Sequence, residues 1–393
     1  RINSVYSCKG TGNKKNNKRH DLTAASKSDH PETEQTETES PGTEPPKFVH
    51  LRLHTEYSLV DGAVRVKPLM AQLAEQNMPA VALTDQGNLF AMVKFYKAAL
   101  GAGIKPVIGV DAWVSDADSQ AQPYRMLMLC QNNDGYLNLS QLISKSYLEG
   151  QSRGVPVMQS EWIHQHSDGL IALSGGREGD VGRALVSGNA DEAEQLLKKW
   201  QATFGDRYYL ELQRTGRENE ERYIHEAVNL ALKTDTPVVA TNDVRFLKRD
   251  DFDAHEVRVC IHEGRTLDDP RRSKNYSDQQ YLRTSEEMQQ LFEDIPEALE
   301  NTVAIAQRCN LEVRLGESFL PQYPIPEGET EDSYFARVAR EGLEERLQIL
   351  LDPNAEDNAD DYAERRKAYE ERLQIEIDVI VNMGFPGYFL IVA

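Results

Sequence analysis

Six short apolar runs in this chain end in residues that can bind a metal or a phosphate. The first ends in His54, the second in Thr84 and Asp85, and the third in Asp111. Later ones end in Ser174, Gly175 and Gly176, in Glu211, and in Asn242 and Asp243. An imidazole and several carboxylates brought to one place would suit metal-assisted phosphoester chemistry. Asp, Asn and Gly also form turns after strands, so no single position settles the matter. The recurrence at six strand ends points to a shared polar site. Other candidates are weaker. His164 and His166 form an H-x-H pair in a polar stretch with no partner cluster, and His255 and His262 read as ordinary helix residues. Gly175, Gly176, Gly179 and Gly182 are too loosely spaced for a phosphate cradle.

Such residues need a frame that gathers strand ends. Apolar runs at 48–53, 80–84, 106–110, 124–130, 170–173, 208–212 and 237–240 alternate with helical patterns of about ten or more residues. Strands alternating with helices imply right-handed βαβ crossovers and a mainly parallel sheet. About seven repeats are enough to close a barrel, and in such barrels the chemistry is built at the carboxyl-terminal rim. The expected fold class is therefore α/β, a distorted (β/α)7 barrel over residues 47–270. A helical linker region is expected over 271–326, with a Pro-rich connector at 320–326. Long charged helical patterns follow over 327–393 and break at Gly384.

Residues 1–46 differ in texture. They begin with six basic residues and no acidic one in the first twenty, then turn rich in Thr, Glu and Pro. With few large apolar side chains, this stretch reads as a disordered polar tail. The chain begins with Arg1 and closes on an apolar run at 389–393, which reads as the edges of a longer sequence.

Composition limits the functional classes. The 393 residues carry 44 Lys and Arg against 64 Asp and Glu, a formal net charge of −20. That average surface repels nucleic acid, since basic side chains supply most non-specific affinity for phosphates. No run approaches the roughly 18 apolar residues of a membrane-spanning helix, so no membrane partner is expected. Cys8, Cys130, Cys260 and Cys309 are scattered and form neither a zinc ribbon nor a disulfide framework. Together these features suggest an acidic, cytoplasmic protein.

The run HLRLHTEYSLVDG at residues 50–62 resembles the first motif of the polymerase-and-histidinol-phosphatase (PHP) superfamily. More closely, the chain resembles the amino-terminal region of the alpha subunits of bacterial DNA polymerase III, the C-family replicative polymerases. Supporting stretches are LTDQGNL at 83–89, ATNDVRF at 240–246, DFDAHE at 251–256, DIPEAL at 294–299 and MGFPGYF at 383–389. The resemblance runs from about Phe48 to the last residue. It implies a distorted (β/α)7 PHP barrel, followed by a mainly helical segment that begins a polymerase palm region over 327–393. It also implies DNA, a proofreading exonuclease subunit docked on the PHP region, and other replicase subunits as partners. Mg²⁺ would serve the intact polymerase, whose catalytic aspartates are not in this chain, so these residues alone should not synthesise DNA.

Active PHP relatives hold a metal cluster through His, Asp and Glu, and here the sequence departs from that pattern. Arg52 stands where an H-x-H pair needs its first His, Gln86 where T-D-H is expected, and Arg245 where N-D-x-H is expected. By looser alignment, Gly176 and Thr215 also occupy ligand-like positions. An arginine has no lone pair to donate to a metal. His54, Asp61, Asp111 and Asp243 remain as a vestigial or weak site, suited at most to a loosely bound divalent ion. The expectation is that Arg52 and Arg245 took over the metal's electrostatic role, pairing with Asp61, Asp85, Asp111 and Asp243. A barrel acting as scaffold and docking platform follows. A free-standing phosphatase and an active metal-dependent 3′–5′ exonuclease are the alternatives, and the lost ligands oppose both.

Overall fold

The computed structural model describes residues 45–116, 122–152, 154–272, 274–317, 321–351 and 359–393. The tail expected over 1–46 and the acidic run 352–361 fall outside these residues except at their edges. The chain divides into two compact units, one reaching to Val313 and the other spanning Arg314–Ala393.

The first unit is built on β1 (Ala80–Leu83), β2 (Lys105–Ser115), β3 (Tyr124–Cys130), β4 (Gln151–Ser152), β5 (Val155–Gln159), β6 (Leu170–Leu173), β7 (Tyr208–Gln213) and β8 (Val238–Thr241). Its sheet runs β4-β5-β2-β3-β6-β7-β8, with β1 added on β2. The extended segment 48–54 closes the ring, because His50 bridges Val81 on one side and Leu53 bridges Val244 on the other. Seven staves therefore surround the core: 48–54, β1, β2, β3, β6, β7 and β8. Between these staves the pairings are parallel except at β3, which runs antiparallel to both β2 and β6; outside the ring, β4 pairs antiparallel with β5. Chain length explains the inversion. Only eight residues separate Ser115 from Tyr124, too few for a crossover of about a dozen or more, so the chain returns beside itself. The sequence reading of a mainly parallel barrel holds with this one stave reversed.

Helices cover the outside: α1 (Val66–Glu75), α2 (Met92–Gly101), α3 (Asn133–Leu148), α4 (Ser160–Gln165), α5 (Asp180–Val186), α6 (Ala190–Phe204), α7 (Glu220–Thr234) and α8 (Phe252–Glu263). Each turns an apolar stripe inward, as Ala193, Leu197, Trp200 and Phe204 do on α6. Two further helices, α9 (Ser285–Leu291) and α10 (Pro296–Arg308), follow within the same unit. A capping box between Thr284 and Glu287 starts α9, and Pro296 at the first position starts α10.

Alternation along the staves sorts the interior into layers. Val49, Leu51, Ala80, Ala82, Val107, Leu127, Leu129, Ile171, Leu173, Tyr209 and Val239 form one apolar cluster with Ile305, Ala306 and Cys309 at the end of α10. Residues 296–309, expected within a linker region, are thus the floor of the barrel. Above that apolar layer the same alternation delivers Asp111, Arg125, Glu211 and Thr241.

The second unit contains α11 (Glu331–Leu350), α12 (Ala359–Asn382) and α13 (Pro386–Val392). Phe335, Ile377 and Leu390 are its buried centre. Gly384, at φ 72°, ends α12 where the sequence predicted a break. Among the described residues, no single helix is long and apolar enough to cross a membrane.

Candidate functional site

The mouth of the barrel is an ionic layer. Arg52 leaves the segment 48–54 and lies 1% exposed among three carboxylates. Its Nη2 donates to Asp111 Oδ2 at 2.5 Å, its Nη1 to Glu211 Oε2 at 2.8 Å, and its Nε to Asp243 Oδ1 at 3.2 Å. Arg245, two residues past Asp243, donates from Nε to Asp243 Oδ1 at 3.0 Å and pairs through Nη1 with Asp61 Oδ2 at 2.5 Å. Asp243 adopts φ 48°, a left-handed conformation that Asp tolerates better than most residues. That kink aims both its own carboxylate and the Arg245 side chain into the mouth. Both arginines that the sequence placed in ligand positions are inside and paired with the carboxylates.

Two more guanidiniums complete the layer. Arg125 pairs with Asp111 Oδ2 at 3.4 Å, lies 3.9 Å from the Trp113 ring centre, and donates to Gln86 Oε1 at 3.2 Å. Arg217 pairs with Asp243 Oδ2 at 3.6 Å and donates to Glu220 Oε1, Glu178 Oε2 and Gln213 Oε1. Glu211 also accepts from Gln213 Nε2 and Thr241 Oγ1. Burying a charge is costly unless it is paired and hydrogen-bonded, and here each charge has a partner.

The titration behaviour follows. Burial alone would raise Asp243, but Arg245, Arg52 and Arg217 outweigh it and hold that carboxyl well below its ordinary range. Asp111 and Asp61 are held down in the same way, by Arg125 with Arg52 and by Arg245 respectively. Burial would lower Arg52, and Asp111, Glu211 and Asp243 reverse that and hold it above its usual value.

Asp85 and Gln86 take different places from those expected. Asp85 meets no guanidinium among the described residues. It accepts instead from Thr55 N at 2.6 Å, Thr55 Oγ1 at 2.7 Å and Ser58 Oγ at 3.0 Å, and burial raises its pKa. Short hydroxyl side chains from the neighbouring turn reach it before any arginine can. Gln86 sits at the edge and steadies Arg125 without touching a carboxylate of the layer. Thr215 is buried and donates to Glu220 Oε1, whereas Gly176 lies close to Gln213. His164 lies in α4, its ring stacked on Trp200 at 5.0 Å, remote from any metal-like cluster. His255 is buried in α8 with Nε2 2.8 Å from the Asp61 carbonyl oxygen, and His262 is exposed.

Sequence reasoning missed Arg125, Arg217, Tyr276 and Gln280, and it gave Glu211 only as the end of an apolar run. Tyr276 donates to Asp61 Oδ2 at 2.7 Å and Gln280 Nε2 to Asp243 Oδ2 at 2.8 Å. Both belong to a strap over 275–283 that crosses the mouth. An arginine near the start of the otherwise apolar β3 was the available signal for Arg125.

A metal can be tested against this donor set. His54, Asp111 and Asp243 offer ligand atoms within 4.8 Å of one another. Yet His54 Nε2 faces Asp111 Oδ2 at 3.2 Å and Asp243 Oδ1 at 3.6 Å, the same two oxygens that Arg52 engages. A divalent ion seated there would have to displace the guanidinium and would lie among three further arginines. With Arg52 in place, the residues do not fit a metal cluster.

Two family profiles and several curated relatives are similar to parts of this chain. The profile described as "PHP domain" matches residues 50–215. That match runs over the staves from segment 48–54 to β7. A second profile, "Bacterial DNA polymerase III alpha NTPase domain", matches residues 333–393. The chain is 57% identical over 348 residues to the DNA polymerase III subunit alpha of Pseudomonas fluorescens, covering 88% of this chain and 29% of that relative. Identity to the subunit of the same name from Escherichia coli (strain K12) is 53% over 347 residues, with the same coverage. The chain thus spans less than a third of the length of these relatives and corresponds to their amino-terminal part. Among solved structures, an amidohydrolase from Chromobacterium violaceum with bound sulfate and no metal is 14% identical, covering 53% of this chain and 96% of its own, at a TM-score of 0.36.

Proposed function

We propose that this chain is the amino-terminal part of a replicative polymerase alpha subunit, in which the PHP barrel serves as a scaffold and docking platform. The observation that carries this reading is Arg52, whose guanidinium engages Asp111, Glu211 and Asp243 where a metal would need their lone pairs. A fixed cation supplies the charge balance of a metal but cannot activate water or polarise a phosphoester. The full-length protein would extend primers on template DNA with Mg²⁺ in the cytoplasm, and the barrel would hold the proofreading exonuclease subunit.

One arrangement favours an active phosphoesterase or 3′–5′ exonuclease instead: the His54, Asp111 and Asp243 trio has ligand spacing. Metal content by mass spectrometry, run beside a phosphoester hydrolysis assay on the purified protein, separates the two readings. Substoichiometric metal and no turnover are expected; near-stoichiometric metal with turnover would reverse the conclusion. Co-elution with a purified exonuclease subunit tests the docking role independently.

A further inference from the structure

A surface helix buries one face and turns polar side chains to water. α6 does so, and none of its large apolar side chains is exposed. α2 does not. Its inner face, Met92, Phe95, Tyr96 and Ala99, is buried in the core. On the opposite side Phe90, just before the helix, is 60% exposed, Val93 49% and Leu100 51%. Spacings of three, four and three residues put these three on one stripe with the exposed Lys97. The stripe covers about three turns, roughly 15 Å.

The loop beside the amino-terminal end of this stripe also presents an apolar side chain. Leu59 is exposed at φ 63° and ψ −47°, and Val60 N donates to Ser58 O at 2.7 Å across it. That is a γ-turn of the rare, strained hand. Its neighbours fix it there. Asn88 Nδ2 donates to Tyr57 O at 3.0 Å, Lys94 Nζ to Tyr57 Oη at 3.3 Å, and Arg258 Nη2 to Leu59 O at 3.2 Å. Strain of this kind persists where the surroundings over-determine it, and here it holds a leucine in water.

Charge indicates what covers the stripe. α2 carries Lys94 and Lys97 and no Asp or Glu, in a chain of net charge −20. Lys94 lies 3.6 Å from Glu56, and Lys97 makes no ion pair among the described residues. A second copy presenting the same stripe would set lysine against lysine. An anionic lipid surface would attract the two lysines and repel the acidic remainder of the chain. We propose that the stripe, with Leu59 beside it, is the docking face for a partner subunit, which lays on it an amphipathic helix with apolar anchors and acidic flanks. This inference rests on the reading of the barrel as a docking platform and names the face that docks.

The test is a binding titration of the chain with the purified exonuclease subunit, beside sedimentation velocity of the chain alone. Val93→Glu, Lys97→Glu and Leu100→Glu should each weaken the complex by about tenfold or more, the loss of one buried anchor, without moving the thermal midpoint. Leu232→Glu, at an exposed leucine on α7, should change neither. Added salt should weaken the parent complex, and Lys97→Glu should flatten that dependence. Unchanged binding by all three stripe variants would overturn the proposal and leave the docking role to another face. No binding by the parent would remove both. Parent dimers that Leu100→Glu dissociates would assign the stripe to a second copy, and parent flotation with phosphatidylserine vesicles, lost in the same variant, would assign it to a membrane. A bulky maleimide that labels Lys97→Cys in this chain but not in the full-length subunit alone would assign it to later residues of the same polypeptide. Each of these three results sinks the partner helix.

Discussion

Arg52 Nη1 straddles the carboxylate of Glu211, 3.1 Å from Oε1 and 2.8 Å from Oε2, while the other two nitrogens of the same guanidinium reach Asp111 and Asp243. One planar cation therefore joins segment 48–54 to β2, β7 and the loop after β8. β2 and β7 are not neighbours of segment 48–54 in the ring, so Arg52 ties the barrel across its mouth. A lysine has one charge centre on a flexible stem and cannot reproduce that three-way fork.

Replacing Arg52 should therefore unfold the barrel more readily. Arg52→Met leaves three buried carboxylates short of their cation, and breaking a buried pair from one side costs about 3–5 kcal/mol. Arg52→Lys should recover less than half of that loss. Urea denaturation followed by circular dichroism measures both, and an Arg52→Met midpoint equal to the parent would sink the proposed role.

Arg245 and Tyr276 meet on Asp61 Oδ2, at 2.5 and 2.7 Å. Arg245→Ala should cost a loss similar to that of Arg52→Met. Tyr276→Phe removes one hydrogen bond to a charged group, worth about 1.5–3 kcal/mol. Because both act on one carboxylate, the double variant should depart from additivity by more than about 0.5 kcal/mol. Simple addition in a double-mutant cycle would show that the strap is not anchored through Asp61.

His54, Asp111, Glu211 and Asp243 were legible in the sequence because each closes an apolar run, and parallel staves bring those ends together. Arg125 was not, and β3 shows why. A reversed stave brings its beginning to the mouth, so a rule that inspects strand ends looks at the wrong terminus. The eight-residue link after Ser115 carried that information, whereas the apolar pattern did not. Tyr276 and Gln280 were hidden for a different reason: the strap has no periodicity, and its position is set by hydrogen bonds to residues 61 and 243. Asp85 was misplaced because Thr55 and Ser58 compete locally with any distant guanidinium.

Acid should weaken the fold in two stages. Burial lowers His50 to about 4, against a hydrogen bond to the Arg283 carbonyl, while the unfolded chain keeps the ordinary value near 6.5. The unfolded state therefore takes the proton first, and stability falls as pH drops from about 6.5 to 4, by up to about 3 kcal/mol. Asp180, pushed up to about 6 by burial against a hydrogen bond from Trp200 Nε1, works in the opposite sense over much of that range. Below about pH 4 the depressed Asp61, Asp111 and Asp243 lose their contribution in turn. His50→Gln should flatten the limb between pH 6.5 and 4 in a series of thermal melts. An unchanged slope would mean that His50 is not held neutral by its surroundings.

Gly109 tests how tightly the staves approach beneath the ionic layer. It sits on β2 two residues before Asp111 and pairs with Leu129 of β3. A methyl group there would lie 2.3 Å from Met128 O and 2.6 Å from Leu129 Cδ2. The backbone oxygen cannot yield, so β2 would have to move away from β3 and take Asp111 with it, stretching the Arg52 contact. Gly109→Ala should cost about 2–4 kcal/mol, in the range of severe overpacking. Gly103 offers the matched control. It has φ 73° but open space around its Cα, so Gly103→Ala should cost only the backbone penalty of about 1–2 kcal/mol. Thermal unfolding of the two variants separates packing from conformation. Equal losses would show that β2 and β3 can part without disturbing the mouth.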